Sequence, residues 1–389
     1  MKDAIEVFLF IDALGWELVQ STGFLSRELP ERRCIRMQFG YSCSAIPTIL
    51  SGRTPAEHGH LCLFCYDPPH SPFRLLGALH PLLRPRSFWE RGRVRNVLSR
   101  LVKKLYGFTG YFQLYRMPLD RIGLMDYCEK RNLFAAKGMG EAGNLYDLLA
   151  ASGLGFHISD WRSSDAENLA EACRLTEAEA CDFLFVYTAE LDGLEHECVG
   201  RPEIIRRKLA FYEERVARLL ETGRAHARNF RLTVISDHGM TPLAGTADLR
   251  AAVEKSGLRF GEDYAACYDS TMLRVHFLKP GAKQALCDAL APFAGSGRWL
   301  TEEEERGYGI YRADRRFGDA IFLMNPGIQI VPSDMGGKAL NGMHGFDPAD
   351  RDSAAAILSN TPLPDDVTQV ADYFRLMKHR IGQLAEARR

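Results

Sequence analysis

The sequence predicts an α/β protein: a mostly parallel central sheet with helices on both faces, and a small α+β cap inserted into it. Short apolar, β-rich runs alternate with helical patterns along much of the chain, which is the signature of a parallel sheet covered on both sides. Several of these runs end directly in Asp or His. Open α/β sheets hold their ligands there, beyond the carboxyl ends of the strands.

The first run, Ile5 to Ile11, is a buried strand that breaks at Asp12-Ala13-Leu14-Gly15. Further strands are expected at Cys34–Phe39, Gly155–Ser159, Asp182–Thr188, Leu232–Ser236 and Ala355–Leu358, with helices at Asp165–Ala180 and Glu203–Thr222. Two segments interrupt the alternation. The catalytic core is therefore expected in residues 1–65, 135–242 and 341–389, with a basic and aromatic helical insertion at 66–134 and the α+β cap at 243–340. Within the cap, Met272–Phe277 and Ala320–Val331 read as β-like and Lys283–Phe293 as helical.

Composition sets the outer limits. With 46% hydrophobic and 25% charged residues over 389 positions, disordered and fibrous classes are excluded. Lys plus Arg number 49 against 50 Asp plus Glu, so no global field draws the chain onto a polyanion, and no nucleic-acid polymer is expected as partner. The first apolar run is far shorter than the roughly 20 residues of a membrane helix, and neither a charged leader nor a small-residue cleavage site accompanies it. Ten scattered cysteines are too sparse for a disulfide framework. The expected compartment is the cytoplasm.

Asp12, Asp192, Asp237 and His238 fall at or just after strand ends, His196 lies four residues beyond Asp192, and His344 sits in a Gly-rich loop. Carboxylates and imidazoles together are ligands for Zn²⁺ or another borderline divalent ion. Any one of them alone reads as a capping Asp or a satisfied His; six together do not. The stretch Gly40 to Gly52 then offers hydroxyls, Ser42 and Ser44, at the start of a helix whose free N–H groups suit a phosphate-like anion. Local sequence alone also accommodates a plain N-cap there.

Taken in order, Ile11-Asp12-Ala13-Leu14-Gly15, Ser42–Gly52 with Pro55-Ala56-Glu57-His58-Gly59, Glu190-Leu191-Asp192 with His196, Ile235–Met240, and Gly342-Met343-His344-Gly345 resemble the motifs of the alkaline phosphatase superfamily. The nearest branch is the nucleotide pyrophosphatase/phosphodiesterase type. The resemblance implies two divalent metal ions, Zn²⁺ first and Mn²⁺ as the alternative. It implies that Asp192, His196 and His344 hold one ion, and that Asp12, Asp237 and His238 hold the other together with the nucleophile. Counting ten residues back from Gly52, as in the family, gives Ser42 as that nucleophile. Diesterases of the branch often carry Thr at that position and Asn three residues later, where this chain has Ala45.

The expected activity is hydrolysis of a small phosphate ester or anhydride through a phosphoseryl intermediate, with a phosphodiesterase or nucleotide pyrophosphatase first. A phosphomonoesterase or phosphate mutase of the same superfamily is the alternative, and an inactive, metal-stabilised binding module the second. The motifs supply no Arg at the phosphate to meet a monoester's extra charge. Among weaker signals, Cys62-Leu63-Phe64-Cys65 reads as core, His58 as structural, and Asp269-Ser270-Thr271 and Lys338–Asn341 as loops near the substrate. Val94, Val97, Leu98, Leu101, Val102 and Leu105 mark an amphipathic helix. With Arg84, Arg86, Arg91, Arg93, Arg95, Arg100, Lys103 and Lys104 around it, residues 84–112 fit either a helix packed on its own domain or a surface that meets an anionic lipid or a large polyanionic substrate.

Overall fold

A computed structural model describes residues 1–82 and 86–388. Arg84 lies outside the described residues, as does the side chain of Arg86. The central sheet has six strands: β1 (Lys2–Ile11), β2 (Glu31–Ile35), β3 (Phe156–Ile158), β4 (Phe183–Thr188), β5 (Ala227–Ile235) and β6 (Ala355–Ser359), in the order β2-β6-β5-β1-β4-β3. β1 pairs in parallel with β4 and β5, and β3 with β4. Only β6 runs against its two neighbours.

That exception has a topological cause. A parallel neighbour needs a crossover back to the starting edge, whereas a strand entered from the edge just left runs antiparallel. The chain leaves β5 at its ligand end, builds the cap, and returns to the same end. The return is fixed by a two-residue ribbon in which Thr241 opposes Met343 and Pro242 opposes Gly342.

β1 shows why the sheet is covered twice. Side chains alternate across a strand, and Ile5, Val7, Leu9 and Ile11 enter one apolar core while Phe8 and Phe10 enter the other. Six helices matter below: α1 (Ser42–Ser51), α2 (Gly92–Leu105), α3 (Asp165–Glu177), α4 (Glu190–Cys198), α5 (Pro202–His226) and α6 (Asp372–Ala387). α3 starts at a capping box formed by Ser164 and Glu167. α5 buries Ile205, Leu209, Tyr212, Val216 and Leu219, one helical stripe, against the first core. α1 and α6 contribute Ile49, Leu50, Leu376, Met377 and Ile381 to the second.

The cap is a second, antiparallel sheet of four strands, Tyr264–Tyr268, Met272–Phe277, Ala320–Met324 and Gly297–Trp299 in spatial order. The run expected as one unit at Ala320–Val331 divides into Ala320–Met324 and Ile328–Ile330, because Asn325-Pro326-Gly327 turns the chain between them. The strand expected at Cys34–Phe39 is also corrected: the strand runs Glu31–Ile35, Arg36 adds only an isolated bridge to Gln369, and Met37 and Phe39 are buried in the loop that leads to α1. The first insertion opens and closes on a short ribbon, Phe64–Tyr66 against Met125–Tyr127. Among the described residues, no helix is long and apolar enough to cross a membrane.

Candidate metal centre

Three parallel strands deliver their carboxyl ends to one place. β1 ends at Ile11 and leads into Asp12; the buried Ala13 beyond it takes a left-handed φ of 62°, and its N–H reaches Asp237 Oδ1 at 3.3 Å. β4 runs into α4, which carries Asp192 in its first turn and His196 in its last on one side. β5 ends at Ile235, one residue before Ser236-Asp237-His238, all fully buried. The Thr241–Met343 ribbon then sets His344 beside them. Gly345 follows with φ of 88°, and a Cβ there would lie 2.6 Å from the Tyr41 ring, so the loop closes tightly on α1's N-terminus.

The cluster is compact. His196 Nε2 lies 3.4 Å and His344 Nε2 3.5 Å from Asp192 Oδ1. His238 Nε2 lies 3.2 Å from Asp237 Oδ2, 3.6 Å from Asp12 Oδ1 and 3.1 Å from Ser42 Oγ. The rings of His238 and His344 stack at 3.7 Å. Within this cluster two groups bring their ligand atoms within metal-binding reach: Asp192, His196 and His344, and Asp12, Asp192 and His238. Asp192 thus stands between the two sets, and Asp237 borders the second through His238.

A cation answers several features of this site at once. Oδ1 of Asp12, Oδ1 of Asp192 and Oδ2 of Asp237 are buried without a hydrogen-bond donor, an arrangement that costs free energy unless a positive ion is shared. Burial, then repulsion from Asp237 and Asp192, pushes the Asp12 carboxyl well above the usual range. Burial also raises Asp237, against the opposing pull of His238. Burial works to raise Asp192 as well, but His196, His344 and His238 outweigh it and hold it low. Burial, with His238 beside it, keeps the His344 imidazole far below its ordinary value and hence neutral, the state that ligates. The Nδ1 atoms of His196 and His238 face the carbonyls of Gly342 and Gly239 at 2.9 and 3.0 Å, which leaves each Nε2 turned to the carboxylates.

Ser42 is the first residue of α1 and does not cap it. Ser44 Oγ donates to the Phe39 carbonyl at 2.8 Å, and Thr48 Oγ1 contacts both the Ser44 carbonyl and His58 Nε2 at 3.0 Å. Of the three hydroxyls, Ser42 alone opens onto the cluster. His58 is buried and held neutral, its pKa lowered to about 2 by burial first and by His60 and Arg53 next.

A cavity of ≈ 480 Å³ opens above Ser42, Asp12, Asp192, His196 and His344. Its walls include Tyr111, Tyr115, Phe134 and Trp161, with Asp269, Ser270, Lys338 and Leu340 from the cap side. Among the described residues, none of those lining it is an Arg. Asp269, Ser270, Lys338 and Leu340 lie in the loops expected near the substrate, whereas the sequence reading did not single out the four aromatic walls individually, because aromatic side chains in an irregular segment carry no periodic signal. It also missed Glu129, a wall carboxyl that burial pushes up to about 8 against the Tyr111 N–H and Lys103. Cys62 and Cys65 are core, as expected, but Cys128 joins them: Cys65 Sγ is 3.5 Å from Cys62 Sγ and 3.4 Å from Cys128 Sγ.

Residues 156–347 match the family described as type I phosphodiesterase / nucleotide pyrophosphatase. Over that segment the chain resembles the nucleotide pyrophosphatase/phosphodiesterase-like branch of the alkaline phosphatase superfamily. Among solved structures, murine ectonucleotide pyrophosphatase/phosphodiesterase 5, in an inactive form complexed with AMP, superposes with a TM-score of 0.66 at 15% identity, over 98% of this chain and 95% of that one. The human ectonucleotide pyrophosphatase/phosphodiesterase 5 gives 0.64 at 14% identity, over 97% and 95%. No curated protein sequence matches.

Proposed function

We propose that this chain cleaves a small phosphodiester or phosphoanhydride through a phosphoseryl intermediate on Ser42, with two divalent ions of the Zn²⁺ class. Asp192, His196 and His344 would hold one ion; Asp12, Asp237 and His238, with Asp192 at the border, would hold the other. When bound, such ions lower the pKa of a serine hydroxyl and neutralise charge developing on a leaving oxygen. The observation that carries the reading is the placement of Ser42 Oγ, 3.1 Å from His238 Nε2 at the edge of the carboxylate cluster, while Ser44 and Thr48 are tied elsewhere.

The chain's own groups do the rest. The N–H groups of Ser42 and Cys43 stand in the first turn of α1, where no intrahelical acceptor exists, and can receive a phosphoryl oxygen. Ser42 Oγ forms the bond to phosphorus as the ester oxygen departs, and water then cleaves the phosphoseryl bond and restores the hydroxyl. Ala45 adds no amide to this grip, so the N–H groups carry it.

A diester is favoured over a monoester because it brings one charge fewer to a cavity without a guanidinium, and because Tyr111, Tyr115, Phe134 and Trp161 offer apolar area for a second substituent. The murine relative's complex with AMP makes a nucleotide-like small molecule the first class to assay. The deciding measurement is kcat/KM for an aryl phosphate against its matched alkyl aryl diester. The diester is expected to win; a hundredfold preference for the monoester, on the order of 3 kcal/mol, would overturn the class.

A further inference from the structure

Nine large apolar side chains are exposed among the described residues, and seven of them, Leu75, Leu79, Leu82, Phe88, Val97, Leu101 and Leu105, fall in one stretch of the first insertion. Scattered singly, such residues need no explanation; gathered, they mark a contact surface. α2 displays its part of this surface by an inverted arrangement. Its inward side holds Arg95, Ser99 and Val102, while Val97, Leu101 and Leu105, spaced i, i+4, i+8, face out.

Polar bonds lock the helix in that rotation. Arg95 Nη1 donates to the Met117 carbonyl at 2.8 Å, and Ser99 Oγ donates to the Arg95 carbonyl at 2.8 Å while accepting the Leu114 N–H at 2.9 Å. Turning the apolar stripe inward would strand these buried groups, so its exposure is built in. The stripe beside it is basic: Arg93, Arg100 and Lys104 recur at i, i+7, i+11 and are exposed, and Arg91 and Arg93 flank the helix start with Glu90 the nearby acid. Arg95 and Lys103 are not part of it, being spent on internal carbonyls.

We propose that this face, helix Arg74–Leu79 with residues 80–82, Phe88 and the outer side of α2, docks on the surface of an anionic lipid bilayer. Apolar side chains next to a row of Arg and Lys, on a helix of 14 residues that cannot span a membrane, are the chemistry of an interfacial helix. A protein partner or a second copy would meet the apolar stripe equally well; the adjoining basic row selects the anionic bilayer. Docking also concerns the catalytic cavity. Lys103, in the last turn of α2, lies 5.2 Å over the ring of Trp161, one of the cavity's walls.

The test is co-sedimentation of the full chain with vesicles of phosphatidylcholine alone or mixed with phosphatidylglycerol. Binding is expected to the mixed vesicles, to weaken with salt, and to be slight on phosphatidylcholine alone. Arg93→Ser/Arg100→Ser/Lys104→Ser should weaken it on the order of a hundredfold, and Val97→Glu/Leu101→Glu should abolish it. Both variants change exposed positions, so turnover of a soluble aryl diester should stay at the wild-type level. Wild type remaining in the supernatant with anionic vesicles overturns the proposal. So does a concentration-dependent dimer that Val97→Glu/Leu101→Glu dissociates while vesicle binding persists.

Discussion

At the scale of single residues, Ser42 and Ser44 of α1 have different fates, and substitution separates them. Ser42→Ala should lose activity by several orders of magnitude while binding metal and melting like wild type. Ser44→Ala removes a buried bond to the Phe39 carbonyl, so it should keep most of its turnover and lose about 1–2 kcal/mol of stability in denaturant titrations. Trapping a phosphoryl group on Ser44 would reverse the assignment. His344→Ala and Asp237→Ala should each shed about one equivalent of metal by elemental analysis and nearly all turnover, since each strips one of the two ligand sets; retention of full metal content by both would refute the two-ion reading. Asp12, Asp192 and Asp237 were legible in the sequence because strand ends in α/β sheets leave their side chains to ligands. The sharing of Asp192 between both groups was not, since it depends on how α4 leans toward His344 across the ribbon. The aromatic wall depends on an irregular segment that no periodicity describes.

At the scale of elements, the buried strands declared themselves and the edge did not. The ligand-end stretches of β1, β4 and β5, Val7–Ile11, Phe183–Val186 and Leu232–Ile235, are near-continuous apolar runs because helices cover both of their faces. β2 pairs only with β6 and carries Glu31, Arg32 and Arg33, the polar dress of an exposed edge, so its apolar signal is displaced to Met37 and Phe39 in the following loop. The two-residue ribbon that fixes His344 is too short for any pattern. β1 also carries an anomaly, Glu6, fully buried between Arg231 on β5 and Arg380 on α6. Arg231 comes within 2.6 Å but not in hydrogen-bond alignment, and burial dominates, lifting the carboxyl to about 7. The folded chain therefore binds a proton here that the unfolded chain releases near pH 4.5. This contribution to stability is complete below that value and is lost as the pH rises through about 7, a change on the order of 3 kcal/mol. Glu6→Gln should flatten that part of the pH–stability curve; an unchanged slope between the two values would show that Glu6 ionises normally.

At the scale of the whole molecule, the cap, the first insertion and the catalytic cavity are joined through one buried guanidinium. Arg274, on the cap strand Met272–Phe277, is 1% exposed; its Nε donates to Asp269 Oδ2 at 2.7 Å and its Nη2 to the carbonyl of Phe64 at 2.7 Å, on the ribbon that opens the insertion. Asp269 in turn lines the cavity. Burial alone would depress the charge of Arg274, but Asp269 and the surrounding thiols reverse that, whereas Asp269 is raised by burial in spite of Arg274. The ion pair is therefore costly to bury and costly to break, and the two costs are separable by a double-mutant cycle. Arg274→Met should destabilise the fold by about 3–5 kcal/mol, because it leaves Asp269 buried without a counter-charge and the Phe64 carbonyl with only the weak thiol donors of Cys62 and Cys267. It should also raise KM more than it lowers kcat, since Asp269 borders the substrate space rather than the cluster around Ser42. Adding Asp269→Asn to Arg274→Met removes the stranded charge, and the double variant should recover a large part of the stability lost by the single one. Strict additivity in that cycle would mean that the two side chains do not act as a pair, and that the cap is held to the insertion by its other contacts, among them Arg316 with Asp67 and Asp126.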